Sequence, residues 1–137
     1  MMTMRPDLFA AIDCAIPLLD MRRFNKLLAG ASWMAEYGNP DDPADWEFLK
    51  LYLPYHNLDP ETQYPSVLLW SSTRDDRVHP AHARKMAAKM TDMGHSVHYY
   101  ENVEGGHGDG ADNDQRAYNF ALRYAFLHDV LIGSEGP

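Results

Sequence analysis

Two short stretches constrain this chain more than anything else in it: VLLWSSTRDDR at residues 67–77 and GGHG at residues 105–108. Residues 67–70 form a run of β-branched and large apolar residues, the pattern of a strand buried on both faces of a parallel sheet. The polar cluster after it puts Asp75 and Asp76 at that strand's carboxyl end, where open α/β sheets carry their chemistry. A second strand pattern, residues 97–103, runs into a histidine flanked by glycines. If the two strands are parallel, His107 lies at the same edge as Asp75. An acid and a histidine at neighbouring strand ends are half of a catalytic constellation, and a nucleophile is the missing part. At this level a second reading stands beside it, because Asp-rich and Gly-rich segments are also ordinary turns.

The rest of the chain supports a parallel arrangement. AHARKMAAKMTDM follows Pro80 and stops at Gly94, a helix long enough for a right-handed crossover between the two strands. Residues 9–16 (FAAIDCAI), closed by Pro17, read as another central strand that wants a neighbour on each side. Leu18, Met21, Phe24 and Leu28 space an amphipathic helix over residues 18–29, stopped by Gly30. After aromatic residues 32–37 and the loop GNPDDPAD, a helix of about residues 43–53 takes Asp42 or Asp45 as its cap. The last helix, residues 115–131, is capped by Asp112 or Asp114. Its apolar residues Phe120, Leu122, Tyr124, Phe126, Leu127 and Leu131 predict burial against the sheet, and the tail after it reads as frayed. The expectation is one α/β domain over residues 1–137, about three parallel strands with flanking helices on both faces, with a sheet short for a whole domain.

Composition narrows the function classes. At 137 residues, 45% hydrophobic and 23% charged, the chain has the make-up of a soluble globular protein. Its net charge of -8 argues against nucleic acid or an anionic membrane surface as partner. Cys14 is the single cysteine, so no internal disulfide forms, and its strand setting reads as an inert core thiol. With no apolar run near 18 residues and no signal-peptide pattern, the expected location is the cytoplasm. His79 and His82 lie three apart, with Asp109 and Asp112 beside the glycine loop, but spacing fixes no third ligand. The expectation is no metal and no cofactor.

STRDDRVHPAHARKMAAKM followed by YYENVEGGHG resembles the carboxyl end of the prolyl oligopeptidase family of serine peptidases. RPDLFAAIDCAIPLLDM, GASWMAEYGNPDDP and LPYHN match the same family upstream, so the resemblance runs over about residues 5–130. It implies the carboxyl-terminal part of an α/β-hydrolase fold and hydrolysis of peptides after proline. It also implies Asp75 as the triad acid, His107 as the base, Arg77 on a substrate carbonyl, and Trp33 and Tyr37 as the proline pocket. From the residues alone, Trp33 and Tyr37 are four apart and share a face if helical, and both proline stacking and core packing are open to them. Arg77 alone reads equally as an ion-pair partner of Asp75 or Asp76.

The family's nucleophile sits on a G-x-S-x-G elbow upstream of RPDLF. None of the six serines has that setting. Ser32 comes nearest, in GASWM, where methionine replaces the closing glycine. The expectations are therefore a serine supplied from elsewhere, little activity of the chain alone, and a partner that is either the missing amino-terminal portion of the hydrolase or a second copy at the open edge of the residue 9–16 strand. A truncated non-catalytic piece and an esterase of the same superfamily are the alternatives.

Overall fold

The structure is a computed structural model that describes residues 1–108 and 110–133. The expectations for Asp109, for Ser134 and for the tail at residues 134–137 lie outside the described residues. Three strands, β1 (Ala11–Ala15), β2 (Ser66–Ser72) and β3 (Val97–Asn102), pair in parallel in the order β1-β2-β3. β2 is the centre: Val67 to Ser72 are all buried, as a strand covered on both faces requires. β1 is shorter than its apolar pattern and pairs with β2 alone. Ile16, at φ 45, leaves the extended conformation just before Pro17 and sets its end, although its N–H still donates to Trp70 O at 2.8 Å.

The described residues form four α-helices, α1 (Met34–Tyr37), α2 (Pro43–Leu49), α3 (Ala81–Asp92) and α4 (Asn113–Leu131), of which α3 and α4 pack on the sheet. Strand residues alternate between two faces. Val67 and Leu69 meet Met86, Ala87 and Met90 of α3, with Leu19 and Leu58 completing that cluster. Asp13, Trp70 and His98 point the other way, towards α4. There Arg123 binds Asp13 at 2.6 Å and lies over the Trp70 ring, and Phe126 sits against His98. The helices thus lie on both faces, as expected. α3 is the crossover helix, and Gly94 behind it takes φ +79, the left-handed conformation that ends a helix. Asp112 caps α4 by accepting from Gln115 N at 2.9 Å, and Asp42 caps α2 by accepting from Ala44 N at 2.8 Å. α2 stops at Leu49 rather than at 53.

Two expectations fail. Residues 18–29 do not form an α-helix; they turn, with 3-10 helices at Phe24–Lys26 and Leu28–Trp33. The spacing fails at Leu28, which is exposed, and Leu19, off the spaced face, is buried as well, so no single helical face is apolar. Leu19 joins the sheet cluster, whereas Met21 and Phe24 join Leu49 and Leu53 in a second cluster. Leu28, at φ 49, and Gly30 then fold the chain back on Phe24. The apolar face of α4 is also not buried as a whole: Phe126 is 8% exposed, but Phe120, Tyr124 and Leu131 are exposed. Three strands offer α4 too narrow a surface to cover that much helix.

Asp20 locks the segment after β1 to α3. Its N–H donates to His82 Nδ1 at 3.1 Å, and its carboxylate accepts from Lys85 and, at 3.0 Å, from Arg23. Burial pushes the Asp20 carboxyl up, but the Lys85 and Arg23 hydrogen bonds outweigh it and hold the group below the usual carboxylate range. Burial lowers His82 to about 4, and geometry agrees, since a proton on Nδ1 would meet the Asp20 N–H. The unfolded chain therefore binds a proton near pH 6.5 that the folded chain refuses until about 4. Stability from His82 is complete above pH 6.5 and is lost as pH falls towards 4. The Asp20 contribution is lost lower still, below the ordinary carboxylate range, while burial of His56 adds to the His82 window.

Urea unfolding should accordingly lose on the order of 3 kcal/mol between pH 7 and pH 4, and His82→Asn should flatten that slope; an equal slope in the variant would assign it to other groups. Gly30 gives a second test. A Cβ there would lie 1.7 Å from Phe24 O, so Gly30→Ala must displace main chain beside a fully buried phenylalanine. The expected loss is about 1–3 kcal/mol, read as a lower urea midpoint.

Candidate active site

Parallel pairing of β2 and β3 brings the two loops that follow them to one edge of the sheet. The acid loop starts where Thr73 N donates to Asn102 O at 2.8 Å. Thr73 Oγ1 also donates to Glu101 at 2.5 Å, and Arg84 of α3 grips the same carboxylate with two nitrogens. Those bonds, Arg84 first, hold Glu101 down at about 2 and tie strand, loop and helix together. The loop then turns at Asp75, whose N–H donates to Ser72 O at 3.2 Å. Asp75 Oδ1 accepts from Arg77 N at 2.8 Å and Val78 N at 2.9 Å, and the side chain is 0% exposed. A buried carboxylate held by two main-chain donors has its lone pairs fixed in space.

His107 comes to it from the other loop. Its Nδ1 lies 3.0 Å from both Oδ1 and Oδ2 of Asp75. An ionised carboxylate only accepts, so Nδ1 carries the proton and Nε2 keeps a lone pair. The ring is 34% exposed, which leaves that lone pair open to a reacting group. A histidine so held has the geometry that general-base chemistry requires, with a buried carboxylate beside it able to stabilise an imidazolium.

The other expected residues are more scattered. Arg77 is exposed, and none of the ion pairs among the described residues joins it to Asp75 or Asp76. Its role in the structure is a main-chain one, since its carbonyl accepts from Ala29 N at 3.3 Å. That bond sets the Leu28–Trp33 turn against the acid loop. Trp33 is half-buried on the second cluster, and Tyr37, 36% exposed, meets the Phe24 ring edge-on at 6.1 Å. Both aromatics thus rest on core while keeping part of their surface outside. No hydrogen bond or ring contact among the described residues joins either to His107.

The serines are engaged elsewhere. Ser32 Oγ donates to Ala29 O at 2.6 Å, Ser66 pairs with Ser96 at 3.0 Å, and Ser71 pairs with the Tyr99 hydroxyl at 3.0 Å. Ser72 is fully buried on β2. Burial pushes the Cys14 thiol up to about 11, the setting of an inert thiol. His79 Nδ1 accepts from Ala81 N at the start of α3, His82 binds Asp20, and Asp112 caps α4. Among the described residues no three His, Cys, Asp or Glu side chains gather as a metal site.

The signals that sequence reading missed are Asn102 and Gln115. Asn102 Oδ1 accepts from Glu104 N and Gly105 N, and its Nδ2 donates to Gln115 Oε1 at 3.1 Å. An asparagine at a strand end three residues before a glycine is the recognisable half of that pattern, because Asn side chains bond the backbone just ahead of them. Gln115 has no such local signal.

Comparison with known proteins agrees with this geometry. The sequence pattern of the prolyl oligopeptidase family matches residues 1–134. An uncharacterised peptidase of Sinorhizobium fredii is 48% identical over 134 residues, which is 98% of this chain and 18% of that protein. A prolyl endopeptidase of Elizabethkingia miricola is 46% identical over 90 residues, 65% of this chain and 13% of that protein. The solved structure of a post-proline cleaving enzyme from Rickettsia typhi superposes with a TM-score of 0.93 at 39% identity, covering 96% of this chain and 19% of that one. The chain spans less than a fifth of the length of the curated relatives it matches over most of its own. Its three parallel strands and flanking helices are part of an α/β-hydrolase fold, and the chain belongs to the prolyl oligopeptidase family.

Proposed function

We propose that this chain contributes the acid, the base and part of the substrate pocket of a serine peptidase that cleaves after proline, with the nucleophile brought by a segment outside it. The observation that carries the proposal is the contact of His107 Nδ1 with both oxygens of the buried Asp75 at 3.0 Å. In the completed site, Nε2 takes the proton of a serine hydroxyl as its oxygen attacks the peptide carbonyl. The imidazolium, stabilised by Asp75, then gives that proton to the departing amine. Water repeats the exchange to release the acyl group. Trp33 and Tyr37 offer partly exposed aromatic faces that suit a proline ring, and the exposed Arg77, in no ion pair among the described residues, is a donor for a substrate carbonyl. The similarity to the post-proline cleaving enzyme of Rickettsia typhi supports that preference.

The positions of the described serines favour a chain that is inert by itself, because none has its hydroxyl on His107. A fluorophosphonate probe with mass mapping of the adduct tests this. The 137-residue chain should not label, and adding a separately made upstream segment carrying a G-x-S-x-G elbow should restore labelling on that segment. Labelling of a serine in this chain would overturn the proposal. In the assembled enzyme Asp75→Asn should lower kcat roughly ten-thousandfold. Trp33→Ala should cost roughly tenfold in kcat/KM on prolyl peptides and leave hydrolysis of a small ester unchanged. Equal loss on both substrates would remove Trp33 from the pocket.

A further inference from the structure

The described part of the loop that carries His107 is irregular, without helix or strand. Among the described residues, no main-chain to main-chain hydrogen bond starts or ends within 103–111. Yet a base must keep its ring within a fraction of an ångström of its acid to keep one tautomer.

Two side-chain amides supply the missing frame. Asn102, 4% exposed at the end of β3, accepts from Glu104 N at 2.9 Å and Gly105 N at 2.8 Å through the one oxygen Oδ1. Gln115, in the first turn of α4, accepts from Ala111 N at 3.0 Å through Oε1, so it holds the loop's far end. The two amides bond each other, Asn102 Nδ2 to Gln115 Oε1 at 3.1 Å, and Gln115 Nε2 donates to Glu104 at 2.6 Å. The entry and the exit of the loop are thereby fastened to one another.

The glycines fit the same frame. A Cβ on Gly105 would lie 3.2 Å from the Asn102 side chain and 3.3 Å from Gly110 Cα, and a Cβ on Gly110 would lie 2.9 Å from Gln115 Cβ. The loop thus lies close against the amide pair at Gly105 and Gly110, while a Cβ on Gly106 or Gly108, beside His107, would not touch either amide. Asn102 also reaches the acid, since its carbonyl accepts from Thr73 N at the start of the Asp75 loop. One buried asparagine therefore touches both loops whose relative position sets the contact of His107 with Asp75.

We infer that Asn102 and Gln115 are positioning residues for His107, a paired-amide clamp that holds the base on its acid. The role of His107 as base rests on the function proposed above; the clamp itself is read without it. Neither amide touches a reacting atom.

The test is proton NMR of the 137-residue chain, following the His107 Nδ1–H that Asp75 shields, assigned by its loss in His107→Gln. The parent chain should give a downfield Nδ1–H signal that exchanges slowly with water. In Asn102→Ala and in Gln115→Ala that exchange should speed roughly tenfold or more, the factor carried by one lost hydrogen bond, while the Trp70 indole signal stays in place. Asn102→Asp, which keeps the acceptor for both N–H groups, should retain much of the protection. Gln115 is only half-buried on a capped helix, so its variant gives a folded reading even if Asn102→Ala does not fold. Unchanged exchange in a folded Gln115→Ala chain, or no protected signal in the parent, would overturn the clamp. Failure of the probe-labelling experiment leaves this result standing, and the converse holds too, so the two proposals fail separately.

Discussion

Everything at this site depends on the parallel pairing of β2 with β3. Two strands that run the same way must end on the same side, so the segments that follow them meet whatever their sequence. The pairing holds because β2 is apolar on both faces and is covered by α3 on one and α4 on the other. A strand so enclosed cannot slip register by one residue without exchanging the Val67 and Leu69 face for the Leu68 and Trp70 face. Register then fixes Ser72 beside Asn102, and the acid and base loops leave from that rung. The distance between Asp75 and His107 is thus set first by the sheet and only afterwards refined by the loops.

The sequence carried this much because its strongest signals are local. Strand patterns, the proline and glycine that bound α3, and the Asp112 cap are written within a few residues of where they act. The meeting of Asp75 and His107 was legible for the same reason, since each stands just past a strand. What was not legible depends on parts far apart in the chain. The spacing of Leu18, Met21, Phe24 and Leu28 matches a helix, but Leu28 is exposed and the other three pack with Leu49 and Leu53, which lie beyond the reach of a local pattern. Arg84 with Glu101, and Asn102 with Gln115, are pairs made across elements. Neither partner signals the other. The exposed Phe120, Tyr124 and Leu131 misled for a related reason, since an apolar stripe tells which face seeks burial and not how wide a surface awaits it.

The chain divides its charged groups between two tasks. Asp20, Lys85, Arg23 and the neutral His82 hold the segment after β1 against α3, on the α3 side of the sheet. Glu101 and Arg84 fix the loop that carries Asp75, and Asp75 in turn holds His107. Because His82 is buried with its Nδ1 already occupied by the Asp20 N–H, the histidine bound into the fold and the half-exposed histidine on Asp75 are separate residues with separate surroundings.

The platform of Trp33 and Tyr37 meets the acid loop through a main-chain contact, Ala29 N to Arg77 O. Replacing either aromatic side chain leaves that main-chain bond in place, so the surface they form can vary without loosening its attachment to the loop that carries Asp75. A change at Gly30, next to Ala29, moves main chain instead, and its effect would travel across the same bond.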